Sequence, residues 1–363
     1  MNFELIKDQY ITYNNKKVYR IKCTSKFRDD VEIGDIGGYV EKQGNLHGKA
    51  WAFDDSIVCG YARVGGKSSI KNKAIVEGSA IVNENAQIID NANITEHSYI
   101  HGNAIISDFT YTYGYCEIKD NAVTYDECEI GDGCVICGNA AIGDRAKING
   151  ECYIGDDSIV MEDGLVGEKA KLYDQSVVAG KGNVLGYSIL RGNVLIDGNA
   201  IIDEHAELYD NVKVNNNSEV KGNAIVGGDT SIKGNVKIYG DAQINIINDG
   251  RIPGIGHIFG NTNIYDDAII EGNPLIGTIR NSTLNIGGDV HIKDYGVYVV
   301  DKPTTIKHGI FDNKTKEDTK QLKNRFIQRD PEAYKKKIGA DYIPKKDMGN
   351  KTYADIYIDE NKK

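Results

Sequence analysis

Between residues 38 and 247 a six-residue unit repeats thirty-five times without gaining or losing a residue. The third position is Val, Ile or Leu in all but three units, where Ala52, Thr112 and Thr124 stand instead. The first position is always small: Gly, Ala, Ser, Thr, Cys or Val. Ala86-Gln87-Ile88-Ile89-Asp90-Asn91 followed by Ala92-Asn93-Ile94-Thr95-Glu96-His97 shows the form. Self-similarity of this length means a solenoid, in which each repeat buries its apolar face only against its neighbours.

The unit has a direct physical reading. Positions one to three alternate small, polar and aliphatic, which is a short strand with its odd positions turned inward. Positions four to six carry a corner, where Gly-Asn or Asp-Asn recurs, as in Gly102-Asn103, Asp120-Asn121 and Gly198-Asn199. Gly and Asn tolerate the left-handed backbone region that a tight corner needs. Three such sides close a coil of eighteen residues, and successive coils stack by parallel strand pairing. We expect slips of two residues at Asn248-Asp249 and at Arg280-Asn281. Ile252, Ile258, Ile264, Ile270 and Ile276 are placed inside after the first slip, and Leu284 and Val290 after the second. The pattern fades near Tyr295. The total is fourteen coils, which at a strand spacing of about 4.8 Å makes a rod roughly 65 Å long.

The two ends differ from the middle. Residues 1–37 read as a β-hairpin cap, with Tyr10-Ile11-Thr12-Tyr13 and Val18-Tyr19-Arg20-Ile21 flanking Asn14-Asn15. Residues 38–300 form the solenoid, and 301–363 a basic segment with short helices at 317–328 and 331–338. From residue 302 onward sixteen Lys and Arg face ten Asp and Glu, a net of +6, which leaves residues 1–301 at −16. Caps make sense because both ends of a solenoid expose unpaired strand edges. No apolar run approaches eighteen residues and no cleavable leader is evident, so we expect a cytoplasmic protein with no membrane span.

Ile130-Gly131-Asp132-Gly133-Cys134 and Ile154-Gly155-Asp156-Asp157-Ser158 resemble the hexapeptide repeat of left-handed β-helix proteins. The segment from Phe27-Arg28-Asp29-Asp30 through Gly34-Asp35-Ile36-Gly37-Gly38-Tyr39-Val40-Glu41, with Asn45-Leu46 and Ala50-Trp51 after it, is more specific. It resembles the start of YdcK-like proteins and their relatives in phages and prophages, some labelled transferases by fold alone. The resemblance covers roughly residues 18–300. It implies an all-β, single-stranded left-handed parallel β-helix and a homo-oligomer, with a trimer as first expectation. Its activity does not follow, because fold alone does not carry function.

Acyltransferases of this fold use a His as general base between subunits, beside a loop that breaks the coil. Under that alternative, acetyl-CoA or another acyl-CoA is the cofactor and His101 and His205 are the candidate bases. His97 and His205 share one corner column six coils apart, too far to cooperate. His97 and His101 could pair along one turn, and His257 lies beside the first slip. Three ligands at metal-binding spacing are missing, so no metal is expected. Uninterrupted coils also leave few places for a pocket.

Other signals have plain readings. Cys116, Cys134 and Cys152 recur at eighteen residues and stack as one inward column of thiols. Their spacing leaves a disulfide geometrically open. Cys134-Val135-Ile136-Cys137 is a weak zinc signal without a second pair. Residues 60–68 imitate a phosphate loop, one residue too long and in phase with the hexads. Phe109, Tyr111, Tyr113, Tyr115 and Tyr125 are the densest aromatic cluster and a candidate interaction patch. Tyr173, Tyr209 and Tyr265 fall in one column as a candidate subunit contact. A rod of net −16 suits a host protein with a basic surface and opposes direct nucleic-acid binding. We therefore expect a non-enzymatic binding or scaffold protein without a cofactor, phage- or prophage-encoded, acting on a host protein or a small ligand. The alternative is a hexapeptide-repeat acyltransferase.

Overall fold

The computed structural model describes residues 2–245, 260–272, 274–278, 282–293, 297–300 and 302–311. They form a parallel β-solenoid of about fourteen turns with three flat sides. The first side runs from Ile36–Val40 and Ile57–Val58 to Ile310–Phe311, the second from Arg63–Val64 to Val297–Val300, and the third from Trp51–Ala52 to Thr304–Ile306. The expected helices at 317–338 lie outside the described residues. Among the described residues no helix is long and apolar enough to cross a membrane.

Most strands are two residues long, the second and third positions of the hexad, and each pairs eighteen residues on: Tyr39 with Ile57, Ile57 with Ile75, Asn93 with Tyr111. The amide of one coil donates to the carbonyl of the next, as Ile75 N to Ala92 O and Glu77 N to Ile94 O, both 2.9 Å. The third-position aliphatics from Val58 to Ile244 are all fully buried, with the small first-position residues beside them. The two Thr in aliphatic slots are fully buried as well. Thr112 donates to Ser98 Oγ at 3.0 Å and Thr124 to Thr110 Oγ1 at 3.2 Å, which satisfies hydroxyls that would otherwise be costly to bury.

The corners explain much of the acidic composition. From Gly48 to Gly240 the fifth position has positive φ, and where it is not Gly it is usually Asp or Glu, as at Glu84 (φ 61°), Asp156 (φ 55°) and Glu162 (φ 59°). These carboxylates accept the amide of the fifth residue one coil on: Gly102 N to Glu84, Gly114 N to Glu96, Asp174 N to Asp156, Gly180 N to Glu162. An anion thus caps a backbone donor that the ladder leaves free, which offsets the left-handed strain. Sixth-position amides form a second ladder, Asn85 to Asn103 to Asn121 to Asn139, ending on Asp157, which can only accept.

The N-terminal hairpin is formed by Phe3–Tyr13 and Lys16–Cys23, turning through Asn14 (φ 47°) and Asn15 (φ 60°). Its second strand pairs antiparallel with Ile36–Val40, so the cap extends the first-side sheet. The rest of the cap folds over the start of the third side. Trp51, 2 % exposed although outward-pointing, is covered by Phe3 and Phe27 with ring centroids at 6.4 and 5.7 Å. Arg28 is buried against the same side, paired with Asp30 and donating to Lys49 O, Ser68 O and Ser69 Oγ. The Phe27–Asp30 and Ala50–Trp51 signals are therefore two halves of one contact.

Beyond Ile244 the structure corrects the expected phase. Ile232 pairs with Ile264, thirty-two residues on, so the break exceeds one coil by fourteen residues rather than two. Ile252 and Ile258, expected inside, lie outside the described residues. Ile264 pairs with Ile286 and Ile270 with Ile292, twenty-two residues apart, a slip of four. Ile286 and Ile292 hence hold the aliphatic slots, and Leu284 and Val290 the first-position slots. Strands then continue past Tyr295, through Val297–Val300 and Thr304–Ile306 to Ile310–Phe311.

Candidate functional site

The candidate catalytic histidines lie in different settings. His101 follows Tyr99–Ile100 on the second side, where successive coils project side chains from hexad positions two and four. Its imidazole stacks on Tyr99 at 4.2 Å, and its Nε2 lies 2.9 Å from Glu117 Oε1. Nδ1 is 3.9 Å from Glu84 Oε1, and Lys119 Nζ reaches the same Glu117 oxygen at 3.2 Å. Partial burial opposes ionisation of Glu117, but the hydrogen bonds from His101 and Lys119 outweigh it and hold the carboxyl below its ordinary range. A carboxylate-oriented imidazole can accept or deliver a proton. His205, by contrast, sits exposed on the corner between the first and second sides, stacked on Tyr187 at 4.9 Å. His97 occupies the same corner column and stacks on Tyr115 at 4.5 Å rather than meeting His101. His257 lies outside the described residues.

The aromatic cluster is divided by the geometry. Phe109 projects from the corner between the third and first sides and is 62 % exposed; Tyr115 projects from the far corner of the first side and is 70 % exposed. Tyr111 and Tyr113 stack on the first side at 5.7 Å, whereas Tyr125 lies on the third. Tyr113 and Tyr125 are half-buried because their rings lie flat over Gly131 and Gly143, where an added Cβ would stand within 2.3 and 2.1 Å of the ring. Burial raises both phenols above their usual range. Tyr173 and Tyr209 share the second side, but Tyr265 pairs with Lys233 on the third, because the longer break leaves it two sides short of that column.

All seven cysteines are buried free thiols. Cys134 is held protonated by hydrogen bonding within its column and by burial; burial pushes Cys128 up to about 11. Cys137 points outward and donates to Tyr153 Oη at 3.1 Å, so the C-x-x-C pair is split between inside and outside. Among the described residues no group of three His, Cys, Asp or Glu could hold a metal ion. Residues 60–68 run through the ladder, with Ser68 Oγ donating to Gly65 O.

The third side carries the feature that the sequence reading missed. Its outward second positions run Ile105, Val123, Ala141, Ile159, Val177, Leu195, and its fourth positions Ile89, Ser107, Tyr125, Gly143, Met161, Ala179. Between Lys71 and Asp197, which bound the stretch, no charged side chain projects from this side between its corners. The same coils project Glu129 and Lys147 on the first side, and Glu117, Lys119, Lys171 and Arg191 on the second. The signal was present in the columns of positions two and four, but becomes visible only when residues are grouped by side. A comparison with protein-family models finds no match for the chain, and one with characterised proteins finds none either.

Proposed function

We propose that this chain is a non-enzymatic binding or scaffold protein whose working surface is the uncharged stretch of its third side. The observation that supports this reading is the contrast between that stretch and the rest of an acidic rod. Apolar side chains held on a rigid ladder and rimmed by polar corners suit association with another macromolecule. The resemblance of the N-terminal segment to YdcK-like proteins supports a phage or prophage origin, with the host cytoplasm as its setting.

The acyltransferase remains a second reading because of one contact, the hydrogen bond between His101 and Glu117. Calorimetric titration of the full chain with acetyl-CoA, with a matching acyl-transfer assay, separates the two. The binding reading predicts no heat of binding and no turnover, for wild type and His101→Ala alike. Turnover abolished in His101→Ala would establish the enzyme and sink the scaffold.

A further inference from the structure

We propose that the bare third side is where two copies of this chain pack face to face, as an antiparallel two-fold dimer centred on the coil of Ala141. This deepens the binding reading, and rests on it, by naming the partner as a second copy. The first observation is charge. Two rods carrying the same acidic excess repel each other, and the stretch from Ile89 to Leu195 is the longest run of coils on any side from which no charged side chain projects between the corners, so it lets two copies approach with charges only at the rims. The second is periodicity. Rows on this side repeat at the strand spacing of about 4.8 Å, and a second copy has the same spacing, so rows and grooves mesh along the whole stretch. The third is area. Six coil rises by the width of one side make roughly 500 Å² per copy, about 1,000 Å² in total, which is the lower bound for a specific pair. We therefore expect association in the micromolar range.

The cap sets the direction. Phe3, Phe27 and Arg28 lie on top of Trp51, Phe53 and Ser69 at the start of the third side. In a parallel pair the two caps would collide and hold the sheets apart. In an antiparallel pair each cap meets the polar far end of its partner's third side, near Lys213 and Ser231. With the two-fold along the Ala141–Ile142 strand, Val123 faces Ile159 and Tyr125 faces Met161, a ring against a thioether. Ile105 faces Val177. The smallest row, Ala141, lies at the centre, where a two-fold brings each residue against its own copy.

Sedimentation equilibrium on the full chain, between about 1 and about 100 μM, reads the association directly. Wild type is expected as a monomer–dimer equilibrium. Val177→Glu should weaken it at least tenfold, whereas Leu165→Glu, at the matching position of the first side, should leave it unchanged. Circular dichroism of each variant confirms that it folds. Direction is read with single cysteines, against a background of seven buried thiols. Ala141→Cys should cross-link to itself; Ile105→Cys should cross-link only when mixed with Val177→Cys. A wild type that stays monomeric, a three-copy species, or undiminished association in Val177→Glu would overturn the dimer. Self-cross-linking of Ile105→Cys would overturn its antiparallel order. Each of these leaves the broader binding reading standing, since only acyl-CoA turnover removes that.

Discussion

The corner carboxylates act as hydrogen-bond acceptors rather than as dispersed surface charge, and Asp156 isolates that role. Its backbone sits at φ 55°, and its Oδ2 accepts the Asp174 amide at 3.0 Å. Replacement by Ala removes the acceptor, a charge-assisted bond whose value at this exposed corner is about 1 kcal/mol. It also leaves a residue with no local polar compensation in the left-handed region, for a further cost of up to about 1 kcal/mol. Asp156→Ala should therefore cost about 1–2 kcal/mol. Asp156→Gly loses the bond but relieves the backbone, and should fall within about 0.5 kcal/mol of wild type. Asp156→Asn keeps an oxygen acceptor and tolerates the same φ, with a similarly small effect. A solenoid need not unfold in one step, so the local probe is native-state hydrogen exchange at the Asp174 amide. Exchange should accelerate roughly tenfold in the Ala variant, since about 1.4 kcal/mol is a factor of ten, and far less in Asn. Equal exchange in Ala and Asn would refute the capping role.

Other consequences follow from the core, the cap and the thiols. Ile136 is fully buried and hydrogen-bonded ladders on both sides oppose collapse, so Ile136→Ala should cost about 3–5 kcal/mol in urea melts, against about 1 kcal/mol for outward-facing Ile159→Ala. Trp51→Ala should expose residues 1–37 to limited proteolysis while the central coils stay resistant, because Phe3 and Phe27 lose the ring they pack on. The Tyr13 phenol, raised to about 12 by burial and by Glu77, favours the folded state below pH about 10. That contribution is lost as pH rises through about 12, so the hairpin should loosen in this window, and Tyr13→Phe should flatten the dependence measured by proteolysis. Thiol reagents at neutral pH should label none of the seven cysteines until denaturant is added; fast labelling of Cys137 would contradict its packing against Tyr153.

The repeat made the architecture legible because each interior slot reports the same constraint thirty-five times, and one aliphatic every six residues admits few other folds. The same regularity misled beyond Ile244. Ile252 and Ile258 keep the hexad phase by composition, so a fourteen-residue excess looked like a two-residue slip. Leu284 and Ile286 are both apolar, and only the pairing with Thr262 and Ile264 distinguishes their slots. Corner acids were legible as charge, but their hydrogen bonds join residues eighteen apart. The aromatic cluster was contiguous in sequence and divided in space, since four residues along a coil turn a corner. His101 was read as a candidate without its partner, because Glu117 lies almost one coil away.

Carbene footprinting of the full chain at low and high protein concentration addresses the working surface most directly. Ile105, Val123, Ile159, Met161 and Val177 should become protected as concentration rises, while Tyr99, His101 and Tyr153 on the second side keep their labelling. Protection confined to the surroundings of His101, and induced by acyl-CoA instead of by protein concentration, would contradict the binding role and assign function to the second side.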